Sequence, residues 1–364
     1  MFRMQIQSKK KCIWYCSAAV SFLLFLLLNL WCDHLVNMQD AQQMAGRWSE
    51  KKDVAQISCF FSSKAEVTED TIQSFEYSLK NVLQEASITE TSENPSARLW
   101  VDAYSADGKI TLVNGRNTLD ANAIGIGGDF FLFHPLKLIT GSYFSGNDLM
   151  QDYCIIDQDA AWQLFGSNDV VGMTVYIGNV PHIVTGVVRR PQGRMEKAAG
   201  LTSTVVYVSY ETLEAYGTSN GINHYEIVMP NPVDEFAYGK VKEGIGIDEK
   251  NVEIVENSRR YSLPNRIKTI LAFGTRSMNG KAIIYPYWEN LARGYEDIIA
   301  LLTVFMLFLL LFPVVTVIWC FVHWWRHKGW TLKDVWHTGK DKAERAVELS
   351  LIHISEPTRP EPIS

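Results

Sequence analysis

The chain has 364 residues, 47% of them hydrophobic and 20% charged, with a formal net charge of −6; this allows two domains and leaves room for membrane segments. The charge is unevenly spread: residues 1–11 carry Arg3, Lys9, Lys10 and Lys11 and no acid, residues 33–297 hold 23 Lys and Arg against 34 Asp and Glu, and residues 323–348 hold six bases against four acids. An acidic central region argues against a nucleic-acid partner, and the charge sorts by compartment instead.

Residues 13–32 carry no charge, a run long enough to cross the roughly 30 Å hydrocarbon layer. A basic start also fits a signal peptide, but the exit reads Leu30-Trp31-Cys32-Asp33, with no small-x-small cleavage site and a bulky residue before the cysteine. A retained anchor is expected, with Trp14, Tyr15 and Trp31 at its two interfaces. In the linker 33–52, Leu35, Met38, Ala41 and Met44 are spaced to prolong the span as a helical stalk.

The large middle region reads as α/β. Residues 54–61 form a strand, and Thr68 caps a helix whose apolar face is Ile72, Phe75, Leu79, Val82, Leu83 and Ala86. Strands at 97–104 and 109–113 flank Ala106-Asp107-Gly108, a hairpin signal. The cluster Gly125-Ile126-Gly127-Gly128 lacks the Lys and hydroxyl residue of a phosphate loop and reads as a structural turn. A weaker echo follows at 225–229 (strand), 233–242 (helix) and 251–255 (strand).

Between the two halves lies the most patterned stretch, 136–190. It contains Gly141-Ser142-Tyr143-Phe144, Ile155-Ile156, Leu164-Phe165-Gly166, Asp169-Val170-Val171-Gly172 and Ile183-Val184-Thr185-Gly186-Val187. Residues 153–156 make a short buried strand, and Asp157 or Asp159 caps a short helix that stops at Gly166. Residues 173–177 and 182–188 pair across a Gly178-Asn179 turn.

Residues 298–322 are a second uncharged run with Pro313 in its interior, a membrane kink that needs neighbouring groups to satisfy the freed carbonyl. With basic flanks on both spans, the positive-inside rule makes 1–12 and 323–348 cytoplasmic and 33–297 external. Within 326–348, Trp330, Leu332, Val335 and Trp336 are spaced for an amphipathic helix, fitting either anionic lipid or a cytoplasmic ATPase. Residues 349–359 resemble the translation of a transposase adapter used in sequencing libraries, so 349–364 are set aside.

The order of elements in 136–190, with glycine closing each, resembles the extracytoplasmic core domain of MacB-like and FtsX-like permeases, the membrane subunits of mechanotransmitting ABC transporters. The resemblance implies an α/β (α+β) extracytoplasmic domain of two subdomains between two transmembrane helices. The porter-like part is about 53–120 with 221–285, and the inserted sabre-like part is about 121–220. Gly141, Tyr143, Phe144, Phe165, Gly166, Gly172 and Gly186 are then framework positions. Two permease copies, as a homo- or heterodimer, and cytoplasmic ATPase subunits are implied. ATP and Mg would sit on the ATPase, this chain would hold no cofactor, and membrane lipids complete the partners in a bacterial inner membrane. Two further transmembrane helices are expected past Glu348.

Catalytic patterns are missing. The sequence has no G-x-x-x-x-G-K-[ST] loop, residues 141–146 contain two serines but not the G-x-S-x-G elbow, and the eight histidines are scattered along the chain, so neither a catalytic nor a metal site is expected. Asp157 and Asp159 form a carboxylate pair whose simpler role is capping. Cys59 and Cys154 fit either a disulfide between the subdomains or two buried free thiols, and the apolar runs around them favour the thiols. A two-span sensor with a ligand-binding outer domain is the second reading, and a membrane-tethered hydrolase is the third.

Overall fold

The structure is a computed structural model that describes residues 2–49, 53–88, 98–275, 282–328, 336–337 and 339–347. It divides into two compact units, Met1–Leu27 with Met306–Ser364, and Leu28–Phe305.

Helix α1 (Phe2–Asn37) is followed by a 3-10 turn at Asp40–Gln42 and helix α2 (Met44–Trp48). The expected helical stalk is thus interrupted after Asn37. The amides of Gln39 and Gln43 donate to the carbonyls of Leu35 (3.2 Å) and Val36 (3.0 Å), replacing backbone partners at the helix end.

Strand β1 (Val54–Phe61) leads to α3 (Glu69–Glu85). The Thr68 N–H donates to Thr71 Oγ1 at the helix start, and Ile72, Phe75, Leu79 and Leu83 are buried. Strands β2 (Val101–Asn114) and β3 (Asn117–Gly128) come next. They overturn the hairpin expected at 106–108: the turn lies instead at Gly115, where φ is +59°. Residues 106–108 stay extended because distant partners hold them. Asn223 accepts from the Asp107 N–H at 3.3 Å and donates to its carboxylate at 2.8 Å. A Cβ on Gly108 would lie 2.4 Å from the Thr218 carbonyl. The Gly125–Gly128 cluster belongs to β3 and is not a turn.

The middle region contains α4 (Phe130–Phe133), β4 (Leu138–Gly141), β5 (Tyr153–Asp157), α5 (Gln158–Phe165), β6 (Thr174–Ile177), β7 (Val180–Val188), α6 (Arg194–Ala198), β8 (Val205–Ser209), α7 (Tyr210–Tyr216) and β9 (Thr218–Ser219). Asp157 Oδ1 accepts from the Ala160 N–H at 2.8 Å, and Gly166 ends α5 in the left-handed region. The β6–β7 turn has both Gly178 and Asn179 at positive φ, as a tight hairpin requires. The chain returns through β10 (His224–Pro230), α8 (Phe236–Gly244), β11 (Val252–Glu256) and α9 (Leu263–Leu271), then ends in α10 (Tyr287–His327).

The described strands form one sheet of order β11-β1-β10-β2-β3-β8-β5-β7-β4. Pairing is antiparallel except for β3–β8 and β5–β7. Because β6 pairs with both β2 and β7, the strands β2-β3-β8-β5-β7-β6 close into a ring. The boundary expected at residue 120 falls inside β3, so the two halves share a sheet. They also share a core, in which Phe75 and Tyr225 belong to the same cluster as Ile156 and Val184. A second core gathers Phe130, Phe131, Phe133, Phe144, Tyr207 and Trp288.

Residues Lys11–Asn37 of α1 and the whole of α10 are long and apolar enough to cross a membrane. Leu23, Leu27, Phe308, Leu311 and Val317 are exposed, as lipid-facing residues would be. Helix α10 continues through Pro313. Trp330, Leu332, Val335 and residues 348–364 lie outside the described residues.

Candidate functional site

The framework residues occupy three places. Gly141 on β4 and Gly186 on β7 are register partners, and the Gly172 N–H donates to the Val184 carbonyl at 2.8 Å. At Gly141 φ is +85° and a Cβ would lie 2.1 Å from the Thr185 carbonyl oxygen, so the two strands can close only around a glycine. Tyr143 bonds the backbone of Leu136 through its hydroxyl and stacks on Phe131, with Phe144 edge-on to the same ring. Phe165 and Gly166 finish α5 against the main core. These positions build the module through backbone approach and aromatic packing.

The other candidates are structural in their contacts. Arg190 bridges Asp157 (2.8 Å) and Asp159, and the Val205 N–H also donates to Asp157 at 3.1 Å. Cys59 on β1 and Cys154 on β5 are buried and free, so no disulfide joins them. Burial pushes the Cys154 thiol up to about 12 and Cys59 higher still, which makes both poor thiolates at neutral pH.

Sequence reasoning missed a buried polar seam around the foot of α10. It begins at His134, just after α4, and at His224 and Glu226, two residues apart on β10 and therefore on one face of it. The exposures of the three are 4%, 1% and 1%. His134 Nε2 lies 2.7 Å from Glu226 Oε2, and His224 Nε2 lies 3.6 Å from Glu226 Oε1. Burial alone would raise the Glu226 carboxyl, but the two imidazoles outweigh it and hold that group well below the usual carboxylate range. Burial also lowers His134, against the pull of Glu226.

From Glu226 the seam continues without a break. The Ser58 hydroxyl donates to Glu226 Oε1 at 2.6 Å, and the Asn257 amide donates to Ser58 Oγ at 2.6 Å. Arg260 Nη1 donates to Asn257 Oδ1 at 3.3 Å. The Arg260 guanidinium then grips both oxygens of Glu289 at 2.7 Å, touches Glu296 through Nε, and reaches Gln42 at 3.0 Å. Burial would lower Arg260, yet Glu289 and Glu296 raise it further above its ordinary value, so the ion pair stays charged.

The first turn of α10 therefore touches both ends of the seam. Trp288 lies against His134 and His224, with ring centroids 4.3 and 5.2 Å apart, and Glu289 next to it is fully buried under Arg260. A groove of about 1240 Å³ between β11 and α9 reaches Arg260 and Glu296. The only local hint in the sequence is the His-x-Glu pair at 224 and 226, because the remaining partners lie far away along the chain.

The family model of the MacB-like periplasmic core domain matches residues 39–254. The macrolide export ATP-binding/permease protein MacB of Pasteurella multocida (strain Pm70) is 31% identical over 98 residues, covering 26% of this chain and 14% of that protein. MacB of Neisseria gonorrhoeae (strain ATCC 700825 / FA 1090) is 36% identical over 80 residues, covering 21% and 12%. The matched stretches thus span about one seventh or less of these relatives' length. The periplasmic region of MacB from Actinobacillus actinomycetemcomitans aligns over 60% of this chain and 94% of that one, at 20% identity and a TM-score of 0.38. With an α/β sheet domain set between two apolar helices and a family match over more than half its length, the chain belongs to the MacB-like family of ABC transporter permeases.

Proposed function

We propose that this chain is the permease subunit of a mechanotransmitting ABC transporter and that it carries movement from a separate cytoplasmic ATPase to its outer domain. Two permease copies, identical or related, work with two ATPase subunits in the inner membrane. ATP and Mg²⁺ bind to the ATPases. Residues 1–12 and 323–348 face the cytoplasm and 33–297 face outward, in keeping with the charge of each segment. Closure of the ATPases shifts the spanning helices, and the outer domain follows as a rigid body.

The supporting observation is the grip of Arg260 on Glu289. A bidentate ion pair fixes the relative orientation of its two side chains, and this one ties the foot of α10 to the segment that follows β11. Motion of the helix then moves the sheet instead of being lost in a hinge. The same geometry serves export, extraction from the membrane or regulation of an envelope enzyme, so the cargo is left open.

The test is co-expression of the chain with the other genes of its locus, affinity capture of the chain followed by identification of any co-purified Walker-type ATPase, and distance measurement between spin labels at Tyr77→Cys on the two copies. Tyr77 is 73% exposed and tolerates the label. The reading expects the ATPase to co-purify and the label separation to change on trapping with ATP and vanadate. Absence of the ATPase, or a separation independent of nucleotide, overturns it.

A further inference from the structure

Six buried side-chain polar atoms among the described residues lack a well-directed hydrogen bond, and three of them belong to one cluster: His134 Nε2 and Glu226 Oε2, in close contact at 2.7 Å, and His224 Nε2. Such atoms are costly to bury, and three in one place call for a common partner. The donor atoms of His134, His224 and Glu226 all lie within 4.8 Å of one another. We propose that these three side chains form a binding site for one divalent transition-metal ion of the zinc class, seated beneath the first turn of α10.

The chemistry of the donors supports this assignment. Two imidazoles and a carboxylate suit zinc and its borderline neighbours, not calcium or magnesium, which prefer oxygen ligands. A tetrahedral ion with bonds of about 2.0–2.1 Å needs donors roughly 3.3–3.4 Å apart. His134 Nε2 lies 2.7 Å from one oxygen of Glu226 and His224 Nε2 3.6 Å from the other, and one donor atom from each residue lies within 4.8 Å of the others, so the three side chains close on an ion by drawing together around it. Three protein ligands leave a fourth position for a non-protein ligand.

The surroundings orient the donors as ligated groups require. Ser105 Oγ lies 3.3 Å from His224 Nδ1 and so holds the ring with its other nitrogen, Nε2, turned toward Glu226 Oε1. Ser58 holds the same carboxylate oxygen at 2.6 Å and is itself held by Asn257. Outer partners of this kind fix ligand geometry. Because Trp288 rests on both rings, an ion here would rigidify the foot of α10.

The full chain, purified in detergent and stripped with chelator, is dialysed against equimolar zinc chloride and assayed for bound metal. About one zinc per chain is expected, falling to near zero in Glu226→Gln and His224→Gln. Ser105→Ala, which removes no ligand, is expected to weaken zinc about tenfold. A background variant lacking Cys12, Cys16, His323 and His327 must still retain the ion. Cobalt(II) in the wild type must show tetrahedral ligand-field bands without thiolate charge transfer, and zinc must raise the melting temperature of the stripped wild type. Zinc retention equal in wild type and Glu226→Gln, loss in the background variant, or an unchanged wild-type melting temperature overturns the assignment.

Discussion

The Ser21 hydroxyl donates a 2.7 Å hydrogen bond to the carbonyl of Leu309, the group that Pro313, four residues on and without an N–H, leaves unpaired within α10. In an apolar layer an unpaired carbonyl has no water to turn to, so α1 supplies what the proline removed. About two turns away the pairing is reinforced, as Trp14 Nε1 donates to Thr316 Oγ1 at 3.0 Å and Trp14 packs on Phe312. Ser21→Ala is expected to destabilise the helix pair by about 0.6–1.7 kcal/mol. Combined with Pro313→Ala, which restores an N–H for Leu309, the same substitution should cost almost nothing. A double-mutant cycle on thermal stability in detergent decides, and additive effects would show that the two positions are not linked.

Arg260 and Arg293 both contact Glu289 but differ in what they leave behind. Replacing Arg260 removes the bidentate partner of the buried Glu289 carboxylate, leaving the partly exposed Arg293 on one of its oxygens, and weakens the anchorage of Glu296, so Arg260→Met is expected to cost roughly 3–5 kcal/mol. Arg293 is 27% exposed and bonds Glu289 through Nε at 2.6 Å, while Arg260 still holds that carboxylate when Arg293 is gone. Arg293→Ala should therefore cost about 1 kcal/mol or less. Thermal melts of the two variants test the order, and equal losses would deny Arg260 its anchoring role.

What the sequence discloses depends on how local the cause is. The Asp157 cap, the Gly166 stop and the Gly178-Asn179 turn are set by neighbours within four residues, and their residue types state their purpose. The Asp107-Gly108 pair carries the same turn signal, yet β2 runs straight through it because Asn223, Leu213 and Thr218 hold it there. The polar seam is less legible still. His134 and Glu226 lie on separate elements, as do Arg260 and Glu289, and no periodicity relates them. The Gly141 to Gly186 spacing was readable as a module, but its reason, a strand pair too close for a side chain, is a tertiary fact.

That reason separates two glycines of the same motif. Gly166 and Gly141 both have positive φ, +72° and +85°, but a Cβ on Gly166 meets nothing within 4 Å whereas one on Gly141 meets the Thr185 carbonyl at 2.1 Å. Gly166→Ala is expected to cost about 1–2 kcal/mol, the conformational penalty alone. Gly141→Ala must also part β4 from β7 and should cost more than twice as much. Chemical denaturation of the two variants gives the comparison, and similar midpoints would remove the packing argument.

The pH response of the outer domain should be governed in part by Glu76 on α3 and Asp102 on β2. Burial, then the adjacent Asp102 carboxyl, raises Glu76 from 4.5 to about 8. Asp102 is raised by burial as well, against the Tyr225 hydroxyl that donates to it at 2.9 Å. A carboxyl raised on folding binds its proton more tightly in the folded state. The stability this provides is complete below about 4.5 and is lost as pH climbs through about 8. The melting temperature of the wild type is therefore expected to fall between pH 5 and pH 9. Glu76→Gln, which keeps the shape of the protonated acid, should melt higher than wild type at pH 9 and flatten that fall. Parallel pH profiles for the two proteins would show that Glu76 ionises freely and that the α3–β2 contact does not sense pH.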